Sequence, residues 1–115
     1  MPIFAFAMPV VPGKEETDEK MLQQLSGTGP EHDAYVAARR AQGFSRELVF
    51  HQKTPMGTFA LIILEGDDPA ASLGKVATSD EPFAVQFREF VKEVHNVDLA
   101  KDPPPEVKLI MDTRF

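Results

Sequence analysis

The sequence predicts an α+β fold: a four-stranded antiparallel sheet with its helices on one face. Three observations predict it. Residues 44–65, FSRELVFHQKTPMGTFALIILE, read as a β-hairpin, because two runs rich in β-branched and aromatic residues flank the turn signal Thr54-Pro55-Met56-Gly57. Helical patterns lie on both sides of that hairpin. An apolar strand opens the chain and an alternating one closes it, so the order is β-α-β-β-α-β.

The first strand runs from Ile3 to Val11 and is apolar on both faces, which predicts a central place in the sheet. Pro12-Gly13 ends it. A helix over about Lys14 to Ser26 carries Glu15, Glu16, Asp18 and Glu19 in its first turns, where the macrodipole favours negative charge, and Met21, Leu22 and Leu25 as its apolar stripe. Gly27-Thr28-Gly29 breaks it. Pro30 restarts a helix to about Gln42, with Ala34, Ala37, Ala38 and Ala41 on one face and Gly43 as the residue past its end.

In the hairpin, Lys53 is expected to face Thr58, His51 to face Ala60, Val49 to face Ile62 and Glu47 to face Leu64. The other side then carries Phe44, Leu48, Phe50, Phe59, Leu61 and Ile63, with Arg46 opposite Glu65. That heavily apolar side suits the helix layer. The remaining side is mixed, and residues 59–64 are apolar on both faces, so a second cover is expected from a partner subunit. Asp68 and Pro69 start a short helix to about Val76. Ser79 or Asp80 caps a longer one to about His95, with Phe83, Phe87, Phe90, Val91 and Val94 as its buried face. Pro103-Pro104-Pro105 is a stiff connector into a last strand over Val107 to Phe115. Two crossovers around a central hairpin make the ferredoxin-like, split βαβ plan.

Composition narrows the function classes. One hundred and fifteen residues, 43% hydrophobic and 26% charged, suit one soluble domain. A net charge of −6 and few adjacent basic residues argue against nucleic-acid binding. The absence of Cys excludes disulfides and thiolate sites and fits a cytoplasmic protein. No apolar run reaches the roughly 20 residues of a membrane helix, and the Pro-punctuated start lacks the basic region of a signal peptide.

Four residues stand out as candidate ligand contacts. His51 lies mid-strand and can be donor, acceptor or base near neutral pH; the plain alternative is a core or interface histidine with a backbone partner. Tyr35 and Arg39 are one turn apart, and His32 lies three residues before Tyr35, so the three can address one patch; the alternative is a helix flank with polar tips in solvent. His51 as base and Arg39 as stabiliser of an enolate are the candidate catalytic roles. His32, His51 and His95 lack metal-ligand spacing, and no cofactor or metal is expected. Gly27-Thr28-Gly29 before a helix start would hold an anion poorly beside Glu31 and Asp33.

Taken together, the apolar first strand, the hairpin, the Phe-rich second helix and the returning C-terminal strand resemble the dimeric α+β barrel superfamily, in which two subunits join sheet to sheet. Residues 46–69, RELVFHQKTPMGTFALIILEGDDP, are similar to small bacterial members of no known function. The resemblance implies a homodimer that binds a small molecule, as a cofactor-independent monooxygenase- or isomerase-like enzyme on an aromatic or enolic substrate. The other role it implies is a non-catalytic, stress-related or structural module. Haem-degrading members carry an Asn on the first strand and a core Trp; this chain has neither, and only His95 lies near their ligand position.

Overall fold

A computed structural model describes residues 2–115. The elements are β1 (Ile3–Pro9), α1 (Glu15–Leu25), α2 (Pro30–Gln42), β2 (Phe44–Thr54), β3 (Gly57–Gly66), α3 (Pro69–Thr78) and α4 (Pro82–His95). The three strands form one antiparallel sheet in the order β1-β3-β2.

Local sequence sets the turn of the hairpin. Pro55 and Met56 make the turn between Thr54 and Gly57, and Gly57 takes φ +118°, a left-handed value that a side chain would strain. The Thr54 hydroxyl accepts from the Met56 amide at 3.1 Å and donates to the Gly57 carbonyl at 2.8 Å. The pairs Lys53–Thr58, His51–Ala60, Val49–Ile62 and Glu47–Leu64 form in the expected register. A bulge between Phe44 and Arg46 then moves Phe44 to the opposite side of the sheet, where it is buried.

Helix limits follow from caps. Asp68 accepts from the Ala71 amide at 3.2 Å to start α3. Gly43, at φ +98°, ends α2, and Asn96 ends α4 in the left-handed region. The core sits between the sheet and the helices: Met8, Ala60, Ile62 and Leu64 from the strands meet Val76 of α3 and Val91 and Val94 of α4, with Val10, Phe44 and Leu99 closing the ends.

Three expectations are overturned. The fourth strand is absent: residues 103–115 form no ladder, and Leu109, Ile110, Met111 and Phe115 are exposed. Pro103, Pro104 and Val107 share a groove with Ala70, Leu73 and Ala77 of α3 and with Phe4, so the stiff connector follows a helix and the chain beyond it joins no sheet edge. Without that strand the ferredoxin-like plan fails. β1 becomes an edge strand rather than a central one, and the sheet is an open three-stranded layer that does not close into an α+β barrel.

The third correction concerns which side of the hairpin the helices cover. They lie on the mixed side, over Glu47, Val49, His51, Ala60, Ile62 and Leu64. The heavily apolar side stays open, with Phe50 52% and Ile3 55% exposed. Polar partners explain the choice: α1 supplies Asp18 to His51, and α2 supplies Arg39 to Glu47, so the polar groups of the mixed side are satisfied by the helices that bury them. Among the described residues no helix is long and apolar enough to cross a membrane.

Candidate functional site

Two polar clusters are built where α1 and α2 meet β2. In the first, Asp18 shares a helical face with Leu22 and Leu25, at i, i+4 and i+7, and that face turns inward. Its carboxylate is 1% exposed. Oδ2 lies 2.6 Å from His51 Nε2. On the other flank, Oδ1 is 3.9 Å from His95 Nε2, beyond hydrogen-bonding distance, and has no hydrogen-bond partner among the described residues. His95 ends α4, and its Nδ1 is 2.9 Å from the Pro9 carbonyl, which can only accept, so Nδ1 carries a proton.

The second cluster centres on Glu47, two residues before Val49 and four before His51 on the covered face of β2. Its Oε1 accepts from the Tyr35 hydroxyl at 2.6 Å and from Arg39 Nε at 2.9 Å. Arg39 Nη1 donates to Gln42 Oε1 at 3.0 Å. The guanidinium also lies against aromatic faces, 4.5 Å from the Phe87 ring centre and 5.1 Å from that of Tyr35. Burial, with the neighbouring Glu47 charge, pushes the Tyr35 phenol well above its ordinary range, so it stays a donor.

An open cleft of about 900 Å³ lies between α1 and the sheet. Leu22, Leu25, Tyr35, Val49 and His51 line its floor and walls, and Glu15, Glu16, Glu19 and Lys53 contribute charge. Behind it is a small cavity of about 50 Å³, lined mainly by apolar side chains and by Asp18, Arg39 and His95. Leu22, Glu47 and Val49 line both spaces and so partition them.

The candidate residues are therefore distributed unevenly. His51 and Tyr35 reach the cleft. Arg39 is buried behind Glu47, with its donors directed to Glu47 and Gln42. His32 lies apart, its Nδ1 2.7 Å from the Leu25 carbonyl at the end of α1. Arg46 and Glu65 are cross-strand neighbours on the open face but form no ion pair among the described residues, and Arg46 is exposed. Asp18, Glu47 and His95 complete the clusters without having been singled out as ligand contacts in the sequence. For Asp18 and Glu47 the signal was periodicity: Asp18 falls on the Leu22–Leu25 stripe, and Glu47 alternates in phase with His51.

Among the described residues no group of three or more His, Cys, Asp or Glu side chains could hold a metal ion. No protein-family model matches the chain, and neither a curated protein nor a solved structure is found to match it. The resemblance to the barrel superfamily is thus carried neither by sheet topology nor by similarity to known proteins.

Proposed function

We propose that this protein binds a small organic molecule in the cleft between α1 and β2, and that His51 takes a proton from it there. The observation that carries this reading is the 2.6 Å contact between His51 Nε2 and the buried Asp18 carboxylate, at the wall of an open cleft. A neutral imidazole that donates Nε2–H to Asp18 leaves its lone pair on Nδ1, and the carboxylate behind it stabilises the imidazolium formed on proton uptake. Nδ1 makes no hydrogen bond among the described residues. Glu15, Glu16, Glu19 and Glu47 against Lys53 disfavour an anionic ligand. A phenol or an enolisable ketone, neutral and partly apolar, suits walls made of Leu22, Leu25, Val49 and Tyr35. The test pairs binding with chemistry. Neutral phenols and enolisable ketones are screened for a rise in melting temperature, and binders are followed for exchange of their acidic proton with deuterated solvent. His51→Gln is expected to keep binding and to slow exchange by about 100-fold. Binding by none, or exchange equal in the variant, would remove the proposal.

The open face of the sheet favours a second reading, self-association. Ile3, Leu48, Phe50, Phe59, Leu61 and Ile63 all lie on the side that carries no helix. A second copy seated on that face would bury a standard interface of roughly 800 Å² per subunit. Sedimentation at micromolar protein is expected to give twice the 12.7 kDa of the chain, and Phe50→Glu is expected to return it to the single-chain mass. A single-chain mass for the unaltered protein would end this reading.

A further inference from the structure

The first strand has an unused edge. The Val10 amide donates to the Thr58 carbonyl at 2.9 Å, and the Gly66 amide to the Pro2 carbonyl at 3.3 Å. Even-numbered residues of β1 therefore bond to β3, and the N–H and C=O groups of Ile3, Ala5 and Ala7 point to the outer edge. No strand lies there among the described residues. The two edges of the sheet are guarded differently. β2 carries Arg46, Glu47 and Lys53, whereas Ile3–Pro9 holds no charged residue. An apolar edge with outward backbone groups is a template for another strand. Beside it, on the helix side, is a groove of about 440 Å³ walled by Phe4, Leu73, Ala77, Leu99 and Pro104.

Residues 107–115 have the complementary pattern. Val107, Leu109, Met111 and Phe115 share one side of an extended chain, and the last three are exposed. The segment is badly placed for its own β1. His95 is bonded to the Pro9 carbonyl at the end of β1, whereas Val107 shares the groove with Phe4 near its start, so the connector has already run the length of the strand. Residues 106–111 hold no Gly, Pro, Asn, Asp or Ser to turn the chain back. We propose that two copies exchange these segments: residues 107–115 of one copy pair with the β1 edge of the other, and Leu109, Met111 and Phe115 enter the groove beside it. A nine-residue segment spans roughly 30 Å, enough to run the seven residues of β1. Main-chain bonds supply affinity, and alternate side chains in the groove supply register. Four apolar side chains of roughly 60–120 Å² each, exchanged reciprocally and counted with the surfaces they cover, reach the roughly 1,200 Å² at which specific interfaces begin. The sheet stays open, with β2 as its far edge. The exchange does not need the open faces of two sheets to meet, nor proton transfer at His51.

The chain has no Cys, so introduced cysteines report alone. Ala5 lies on the open side of β1, and the exchange puts Lys108, Ile110 and Asp112 on that same side. Chains carrying Ala5→Cys are mixed with chains carrying Lys108→Cys, Ile110→Cys or Asp112→Cys and oxidised at micromolar protein. A mixed product of twice the 12.7 kDa chain mass is expected from at least one mixture. Its yield should be at least about 10-fold above that with Arg40→Cys, an exposed site on α2. No mixture exceeding that control would overturn the proposal. A chain ending at Glu106 loses mainly exposed residues and is expected to sediment at the single-chain mass. A dimer that survives this truncation would overturn the exchange and leave association through the open face standing. A dimer lost on truncation but kept in Phe50→Glu would do the reverse. Ala5→Pro removes one outward N–H and no bond to β3, and is expected to weaken association about 10-fold; unchanged association would overturn the edge pairing. If that variant does not fold, the cross-link decides.

Discussion

The two faces of the sheet differ in a way that runs against simple hydrophobic accounting. The face bearing Glu47 and His51 is the one that four helices bury; the face bearing Leu48, Phe50, Phe59, Leu61 and Ile63 is the one left open. A helix layer is recruited to a sheet by complementarity as well as by apolar area. Arg39 and Asp18 occupy the inward faces of α2 and α1, and each needs a partner of the kind that only the mixed face offers. Placed against the greasy face, both would be buried without compensation. The difference teaches that buried polar pairs chose the covered side, while the apolar surplus was left for other use.

The largest expected effect contrasts the two arginines. Arg39 is buried, bonded to Glu47 and flanked by aromatic rings; Arg46 is exposed on the open face. Arg39→Met leaves a largely buried carboxylate with, among the described residues, only Tyr35 as a donor, and a loss of about 3 kcal/mol in urea-denaturation stability is expected. Arg46→Met is expected to stay within roughly 0.5 kcal/mol. Similar losses for both would mean that the open face is covered after all, and the contrast would collapse.

Neighbouring isoleucines sharpen the comparison further. Ile62 and Ile63 are adjacent in β3 but point to opposite faces; Ile62 is in the core and Ile63 is only partly buried. Ile62→Ala is expected to cost roughly 2–4 kcal/mol and Ile63→Ala less than about 1 kcal/mol. Repeating the measurement at several protein concentrations separates the two readings of the open face. A cost at Ile63 that grows with concentration belongs to a self-associated state, whereas a small, constant one belongs to a face that stays wet.

How much of this was legible in the sequence follows from what a periodic pattern encodes. The register of the hairpin was readable because Pro55 and Gly57 fix the turn and period-2 alternation does the rest. Phe44 escaped because a bulge leaves no mark in alternation. The covered face was misassigned because a pattern says which residues share a side, not what packs on it; that depended on Asp18, hidden in an acidic first turn, meeting His51 thirty-three residues away. The segment 107–115 alternates like a strand, yet alternation supplies no edge to pair with, and the proline connector leads it along α3. His51 and Tyr35 were found as side chains of the right chemistry. Their roles in a site came from Asp18 and Glu47, which only the fold brings to them.

The smallest effect tests the covered face through its most strongly shifted group. The Tyr35 phenol is held above its ordinary range, chiefly by burial and then by the Glu47 charge that accepts its proton. For a group whose folded value is raised, the unfolded chain ionises first as pH rises, so the folded state then binds more protons and stability declines with pH. The contribution is whole below about pH 10, where the free phenol titrates, and is progressively lost above it. Urea denaturation between about pH 9 and pH 11 is expected to show stability falling more steeply in the parent chain than in Tyr35→Phe, which has no phenol to ionise. The chain holds one Tyr, so the difference in slope belongs to that side chain alone. Parallel slopes would place Tyr35 in contact with water and free of Glu47, removing one of the two polar clusters on which the covered face depends.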